Sequence, residues 1–231
     1  MLLKGLQKLT LLDYPGKMAC TVFAGGCNFK CPFCHNASLV MSDRVKSSAT
    51  LPSEDFFAFL EKRRGILEGV CVSGGEPSLS PDIIPFLNKI KNMGYLVKLD
   101  TNGYKPDVIR SAIDYGVIDY LAMDIKNSRK KYGLTVGIEN FDIAPIERSV
   151  DILMNSSLDF EFRTTLTKEL HTKEDIIEIG SWLAGSEKYF LQTFRDSGDL
   201  ISTNFSGYDE KETEVLLNLL KTNIPNAQIR G

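Results

Sequence analysis

G-G-C-N-F-K-C-P-F-C-H, Gly25 to His35, sets Cys27, Cys31 and Cys34 in a C-x3-C-x2-C spacing. Three thiols so close together, bounded by Gly25 and Gly26 and stiffened by Pro32, can converge on one polynuclear metal centre. Thiolate is the ligand that holds iron–sulfur clusters, and a four-iron cluster normally takes four of them. Only three are supplied, which leaves one iron open to something other than protein. A structural zinc site is the alternative. It wants a closed set of four ligands, and the chain has only His35 and His171 to add. Cys20 and Cys71 stand alone in the apolar runs A-C-T-V-F and G-V-C-V-S and read as buried strand thiols. Five cysteines is an odd number, and M-L-L-K-G-L-Q-K lacks a signal peptide's apolar stretch, so disulfides are not expected and the thiols read as reduced and cytoplasmic.

Outward from the loop, short β-branched runs alternate with stretches of helical period, which predicts repeated βα units and a parallel sheet. The expected strands are Ala19 to Ala24, Gly69 to Ser73, Tyr95 to Thr101, Asp119 to Ile125, Leu158 to Thr165 and Lys188 to Phe194. Helices are expected over Ser53 to Arg64, from Ser80 as N-cap with Pro81 first in the helix, from Pro106 to Gly116, over Pro145 to Asn155 and Thr172 to Leu183, and after the capping box of Asp209 and Glu212. Asn127 to Asn140 reads as a loop. Six βα units are too few for a closed eight-stranded barrel and predict an open, partial (βα)6 barrel of α/β class. The 231 residues, 43% of them hydrophobic, suit a single domain: an N-terminal segment (1–18), a partial-barrel core (19–194) and a C-terminal helix and tail (195–231).

In parallel α/β folds ligands sit beyond the carboxyl ends of the strands, and the informative residues cluster there. S-G-G-E-P, Ser73 to Pro77, follows the second strand, with Gly74 and Gly75 allowing close backbone approach and Glu76 adding a carboxylate. The third strand ends in L-D-T-N-G (Leu99 to Gly103) and the fourth in M-D-I-K (Met123 to Lys126), so Asp100 and Asp124 can converge over the sheet mouth. Taken alone, each motif is also an ordinary turn.

Together these segments resemble the radical S-adenosylmethionine (SAM) superfamily, in which the SAM methionine chelates the fourth iron of a [4Fe-4S] cluster held by three cysteines. The resemblance implies an open partial barrel, cluster ligands Cys27, Cys31 and Cys34, and SAM contacts from Gly74, Gly75 and Glu76. It also implies that Phe33 packs on the adenine and that His35 neighbours SAM. L-D-T-N-G and M-D-I-K are similar to the glycyl-radical enzyme activases, which implies SAM contacts from Asp100, Asn102, Asp124 and Lys126. In the pyruvate formate-lyase activase, residues matching Asp100, Thr101 and Asp124 form a monovalent cation site, so such a cation is implied here. Arg163 and T-K-E-L-H-T (Thr167 to Thr172) also look similar, Arg163 as a SAM contact. Where that activase carries a SAM-binding histidine, T-F-R-D here offers Arg195.

The opening G-L-Q-K-L-T-L-L-D-Y-P-G-K, Gly5 to Lys17, with C-H-N at Cys34 to Asn36, looks like the anaerobic ribonucleoside-triphosphate reductase activating proteins. That implies reductive cleavage of SAM to a 5′-deoxyadenosyl radical, which takes a hydrogen atom from a glycine of the partner reductase. It also implies a flavodoxin or ferredoxin-type electron donor and a protein contact around the barrel mouth, with the N-terminal segment as a contributor. Two rival readings are a radical SAM enzyme acting on a small molecule or peptide, and an electron-transfer or sensing module. A net charge of −3 gives no electrostatic reason to expect nucleic-acid or membrane-surface binding, and no apolar run is long enough for a transmembrane helix.

Overall fold

A computed structural model describes residues 1–196 and 198–230. Its eight strands form one sheet in chain order: β1 (Leu3–Thr10), β2 (Ala19–Ala24), β3 (Gly69–Gly74), β4 (Leu96–Thr101), β5 (Tyr120–Asp124), β6 (Asp159–Leu166), β7 (Tyr189–Thr193) and β8 (Gln228–Arg230). β1 pairs antiparallel with β2, and every later pairing is parallel. β1 and β8 are its two edges, so the barrel stays open.

The six expected strands are present to within a residue or so at each end. β1 and β8 are additions. β1 buries only its ends, Leu3 and Thr10, and so carries no two-residue alternation; β8 is three residues long, too short for any pattern. The chain therefore draws both flanks into the sheet.

The helices are α1 (Ala37–Val40), α2 (Ser42–Ser47), α3 (Ser53–Glu61), α4 (Ile83–Asn92), α5 (Pro106–Asp114), α6 (Tyr132–Val136), α7 (Ala144–Met154), α8 (Lys173–Trp182) and α9 (Glu210–Lys221). α4 begins later than expected, with Asp82 as N-cap in place of Ser80. That start leaves Pro85 in the first turn, where a missing N–H costs nothing. The capping box of Asp209 and Glu212 forms at α9, and Thr172 with Asp175 makes a second at α8. The expected loop 127–140 contains a 3-10 turn, Arg129–Lys131, and α6. Buried stripes such as Ile83, Phe86, Leu87 and Ile90 of α4 pack with Val70, Val72, Val97 and Leu99 of the sheet in one core.

Because β1 runs antiparallel, Leu3 lies beside Ala24 at the mouth, whereas Thr10 lies beside Ala19 at the opposite end. The turn carrying Leu11, Leu12 and Lys17 therefore lies at the opposite end of the sheet from the mouth, and the start of β1 is the part of the segment that reaches it. Met1 and Leu2 border the turns at Gly25 and Glu76, and Lys4 lies against Gly25.

Candidate functional site

At the carboxyl ends of the strands lies a cavity of about 220 Å³. Cys27, Cys31, Phe33, Cys34 and His35 line it from the loop after β2, and Gly74, Gly75 and Glu76 from the turn after β3. Asp100 comes from β4 and Asn102 from just after it, Asp124 from the end of β5 and Lys126 from just beyond it, and Arg163 from β6. The structure thus brings all thirteen expected site residues to one place. Arg195 is exposed and not among them. Gln192 of β7 and Thr165 of β6 line that wall instead, with Thr165 Oγ1 3.4 Å from Gln192 Oε1. Ser73, Thr101, Asn36 and Val40 are further lining residues.

The cysteine loop is braced on several sides. Gly75 N–H donates to Ala24 O at 2.8 Å and Glu76 N–H to Gly26 O at 2.7 Å. A Cβ at Gly75 would lie 2.1 Å from the Gly26 carbonyl oxygen, so the glycine is needed where the two turns meet backbone to backbone. On another side Lys30 N–H donates to Val136 O at 2.9 Å, and a Cβ on Gly137 would lie 2.6 Å from Lys30 O. The segment after β7 crosses the loop: Ser202 N–H bonds Pro32 O at 2.8 Å and Ile201 N–H bonds Cys34 O at 3.3 Å. Phe33, nearly buried, packs against His171 and Phe205.

Glu76 is buried, and its carboxylate is filled by internal donors: Ser78 N–H at 3.0 Å, Thr101 Oγ1 at 2.8 Å and Asn102 N–H at 2.6 Å. Burial pushes its carboxyl above the usual range, while these donors pull it back. Asn102 then donates from Nδ2 to Asn28 Oδ1 at 2.9 Å and reaches Cys27 Sγ at 3.8 Å. Glu76 thereby ties the turns after β3 and β4 to the first cysteine.

On the cavity floor charges alternate. Arg163 is paired with Asp124 at 2.9 Å and with Asp100 at 3.5 Å. Lys126 Nζ is 3.0 Å from Asp124, and Lys98, fully buried, pairs with Asp100, which also accepts from Ser73 Oγ at 3.0 Å. Burial alone would raise both carboxyls, but Arg163 with Lys98 holds Asp100, and Arg163 with Lys126 holds Asp124, below the usual carboxylate range. Lys98 escaped the sequence reading because a strand lysine ordinarily faces water; its signal was its place two residues before Asp100, on the same face.

Burial pushes the thiols of Cys27 and Cys31 up to about 12 and that of Cys34 up, with Lys126 the cation that pulls all three back. Such thiols need a strong local positive charge to ionise, which coordinated iron supplies. Among the described residues no three Cys, His, Asp or Glu side chains are grouped to hold a single metal ion. Three thiols are one short of the closed four-ligand set of a structural zinc site and suit a four-iron cluster that leaves one iron open. Cys20 and Cys71 are fully buried in β2 and β3.

His171, of T-K-E-L-H-T, is fully buried, with Nε2 2.9 Å from Lys126 O. No helix of the described residues is long and apolar enough to cross a membrane.

The comparisons agree with this geometry. The chain is 31% identical, over 99% of its length and 95% of the relative's, to “Putative glycyl-radical enzyme activating enzyme MJ1227” of Methanocaldococcus jannaschii. It is 24% identical over 68% of its length to the 7-carboxy-7-deazaguanine synthase of Koribacter versatilis, spanning 65% of that protein. Among solved structures, Streptococcus suis SuiB bound to its precursor peptide SuiA superposes with a TM-score of 0.70 at 16% identity, over 90% of this chain and 47% of SuiB. Escherichia coli QueE does so with a TM-score of 0.58 at 15% identity, over 99% of this chain and 93% of QueE. The family model for the radical SAM superfamily matches residues 21–183, the span holding the three cysteines and the motifs after β3, β4 and β5. That family implies a [4Fe-4S] cluster and SAM, which the thiol set and the cavity fit, and the chain belongs to the radical SAM superfamily.

Proposed function

We propose that this chain is a cytoplasmic, single-domain glycyl-radical enzyme activase whose partner is an anaerobic ribonucleoside-triphosphate reductase. The observation that carries the reading is the 31% identity, spanning 99% of this chain, to a relative named for activating glycyl-radical enzymes. Held by Cys27, Cys31 and Cys34, a [4Fe-4S] cluster would supply the electron for reductive cleavage of the SAM S–C5′ bond, with methionine as the leaving group and a hydrogen atom of the partner's glycine ending on 5′-deoxyadenosine.

The chain's own residues do the rest. Cys27, Cys31 and Cys34 each offer one thiolate, and Lys126 offsets their charge. Lys126 and Arg163 suit the SAM carboxylate, and Asp100, Asp124 and the backbone of Gly74 to Glu76 suit its ammonium and sulfonium side. Asn102 and Glu76 hold these turns in place, Phe33 gives the adenine an apolar wall, and His35 flanks it. A flavodoxin or ferredoxin-type protein supplies the electron. A monovalent cation at Asp100, Thr101 and Asp124 rests on the resemblance alone; the cations that meet these two carboxylates in the structure are Lys98, Arg163 and Lys126.

The similarity to a 7-carboxy-7-deazaguanine synthase favours a second reading, a small-molecule substrate. The experiment mixes reconstituted, reduced protein and SAM with the native reductase. A glycine-centred doublet in electron paramagnetic resonance, and deuterium moving from that glycine into 5′-deoxyadenosine, are expected. Formation of 5′-deoxyadenosine with no doublet, together with label transfer from a deazapurine precursor, would establish the second reading instead.

A further inference from the structure

Beyond the end of β5 the backbone no longer has a complete sheet ladder, yet the segment is buried. A buried carbonyl without a donor costs free energy comparable to a lost hydrogen bond. Three consecutive carbonyls here each meet a buried side chain from a different part of the chain. Asp124 O accepts from Tyr132 Oη at 3.3 Å, Ile125 O from Thr164 Oγ1 at 2.7 Å, and Lys126 O from His171 Nε2 at 2.9 Å. Tyr132, Thr164 and His171 are all essentially inaccessible to solvent.

Donor directions follow from the partners. Thr167 N–H, which can only donate, is 3.1 Å from His171 Nδ1, and Lys126 O can only accept. The ring therefore carries its proton on Nε2. Likewise the Thr164 hydroxyl must give its proton to Ile125 O, so Tyr189 Oη, 2.6 Å away, is the donor to Thr164. The next residue is held too, with Asn127 Nδ2 donating to Thr135 Oγ1 at 2.8 Å and to Leu170 O at 3.0 Å.

We infer that Thr164 and His171 are positioning residues for SAM: they clamp the backbone from which Asp124 and Lys126 project into the cavity. The clamp gives His171 of T-K-E-L-H-T a role, with Thr167 N–H fixing its ring. His171 also packs its ring against Phe33 at 6.3 Å, so the imidazole registers the root of Lys126 against the cysteine loop, while the backbone carbonyl of His171 accepts from Tyr208. A chain that needed only satisfied carbonyls could have extended the strand. This one stops it and spends three buried donors on a turn that carries an acid and a lysine into the site. The inference rests on the reading of Asp124 and Lys126 as SAM contacts.

The test uses the full chain with its cluster reconstituted and compares His171→Gln, His171→Asn, His171→Phe and Thr164→Val. A glutamine amide can place an N–H near the Nε2 position, asparagine reaches only the Nδ1 position, and phenylalanine keeps the ring without either nitrogen. His171→Asn, His171→Phe and Thr164→Val should weaken SAM binding by about three- to tenfold, the worth of one net hydrogen bond, at unchanged iron content. His171→Gln should stay within about twofold of the native protein by the same measure. Amide hydrogen exchange over residues 125–128, read without SAM, should accelerate in the first three and not in His171→Gln. If SAM affinity and exchange are native in all four, or if His171→Gln is as impaired as His171→Phe, the clamp is wrong. If the native protein with a full cluster does not bind SAM, the functional reading fails, and exchange alone then decides whether the backbone is clamped. Should His171→Phe not fold, Thr164→Val still tests the same segment.

Discussion

Replacing Glu76 by glutamine removes one oxygen and changes almost nothing in shape. The carboxylate accepts Ser78 N–H and Thr101 Oγ1 on Oε1 and Asn102 N–H on Oε2. If the amide oxygen takes the Oε1 position, two bonds survive and the new NH2 faces Asn102 N–H, donor to donor, where the shortest bond, 2.6 Å, had been. The opposite orientation loses the Ser78 N–H bond and makes the Thr101 hydroxyl accept from the amide where it had donated. Loss of one bond to a charged acceptor costs about 1.5–3 kcal/mol. Burial disfavours the ionised carboxylate, as its raised pKa says, and neutral glutamine escapes that term, so the lower half of the range applies. For a chain of this length that is a fall in melting temperature of roughly 3–8 °C. Displacement of Asn102 also loosens its side-chain contacts with Asn28 and Cys27, so SAM affinity should fall about tenfold while iron loading is largely kept. Calorimetric melting, iron analysis and SAM titration on reconstituted protein read all three. A Glu76→Gln protein that melts and binds SAM like the native one would refute the brace.

Cys27→Ala, Cys31→Ala and Cys34→Ala should each abolish an iron content close to four per chain, whereas Cys20→Ala and Cys71→Ala should keep it; iron loss from a folded Cys71→Ala protein would overturn the ligand assignment. Gly75→Ala puts a Cβ 2.1 Å from Gly26 O and should destabilise by about 1–3 kcal/mol and impair cluster loading, while Gly180→Ala, with nothing nearer than 3.4 Å, should load normally; thermal melts and iron analysis separate them. His171 is held below its ordinary 6.5 first by burial, among Lys126, Lys131, Asp175 and Tyr208. A base depressed in the folded state takes up more protons when unfolded, so its share of stability is present above about pH 6.5 and is lost as pH falls below it. Melting temperature should therefore drop less between pH 7 and 5.5 in His171→Gln than in the native protein.

What the sequence made legible follows from one geometric fact. In a parallel sheet whose strands come in chain order, residues just past successive strand ends are neighbours in space, so position along the chain stands in for position in the site. That is why C-x3-C-x2-C, G-G-E-P, L-D-T-N-G and M-D-I-K arrive at one cavity. The same rule fails for residues whose role depends on which face of a strand they occupy. Lys98 and Thr164 sit inside strands, where a lysine reads as solvated and a threonine as ordinary β-filler, and only register shows that one faces Asp100 and the other Ile125 O.

Arg195, which stands where the similar activase carries a histidine, lies outside the cavity for the complementary reason. It follows β7 closely enough to look like a strand-end residue, but the chain turns away there, and the inward position belongs to Gln192, paired with Thr165 across the β6–β7 ladder. His171 could not be placed from its neighbours in sequence because its partner, Lys126, is 45 residues away. Motifs at strand ends thus report the groups that line the cavity, whereas the buried donors that hold those groups are scattered over the chain and are visible only as hydrogen-bond partners. The second set fixes the backbone of the first, so substitutions at Glu76, Thr164 and His171 should alter SAM affinity without touching a cluster ligand.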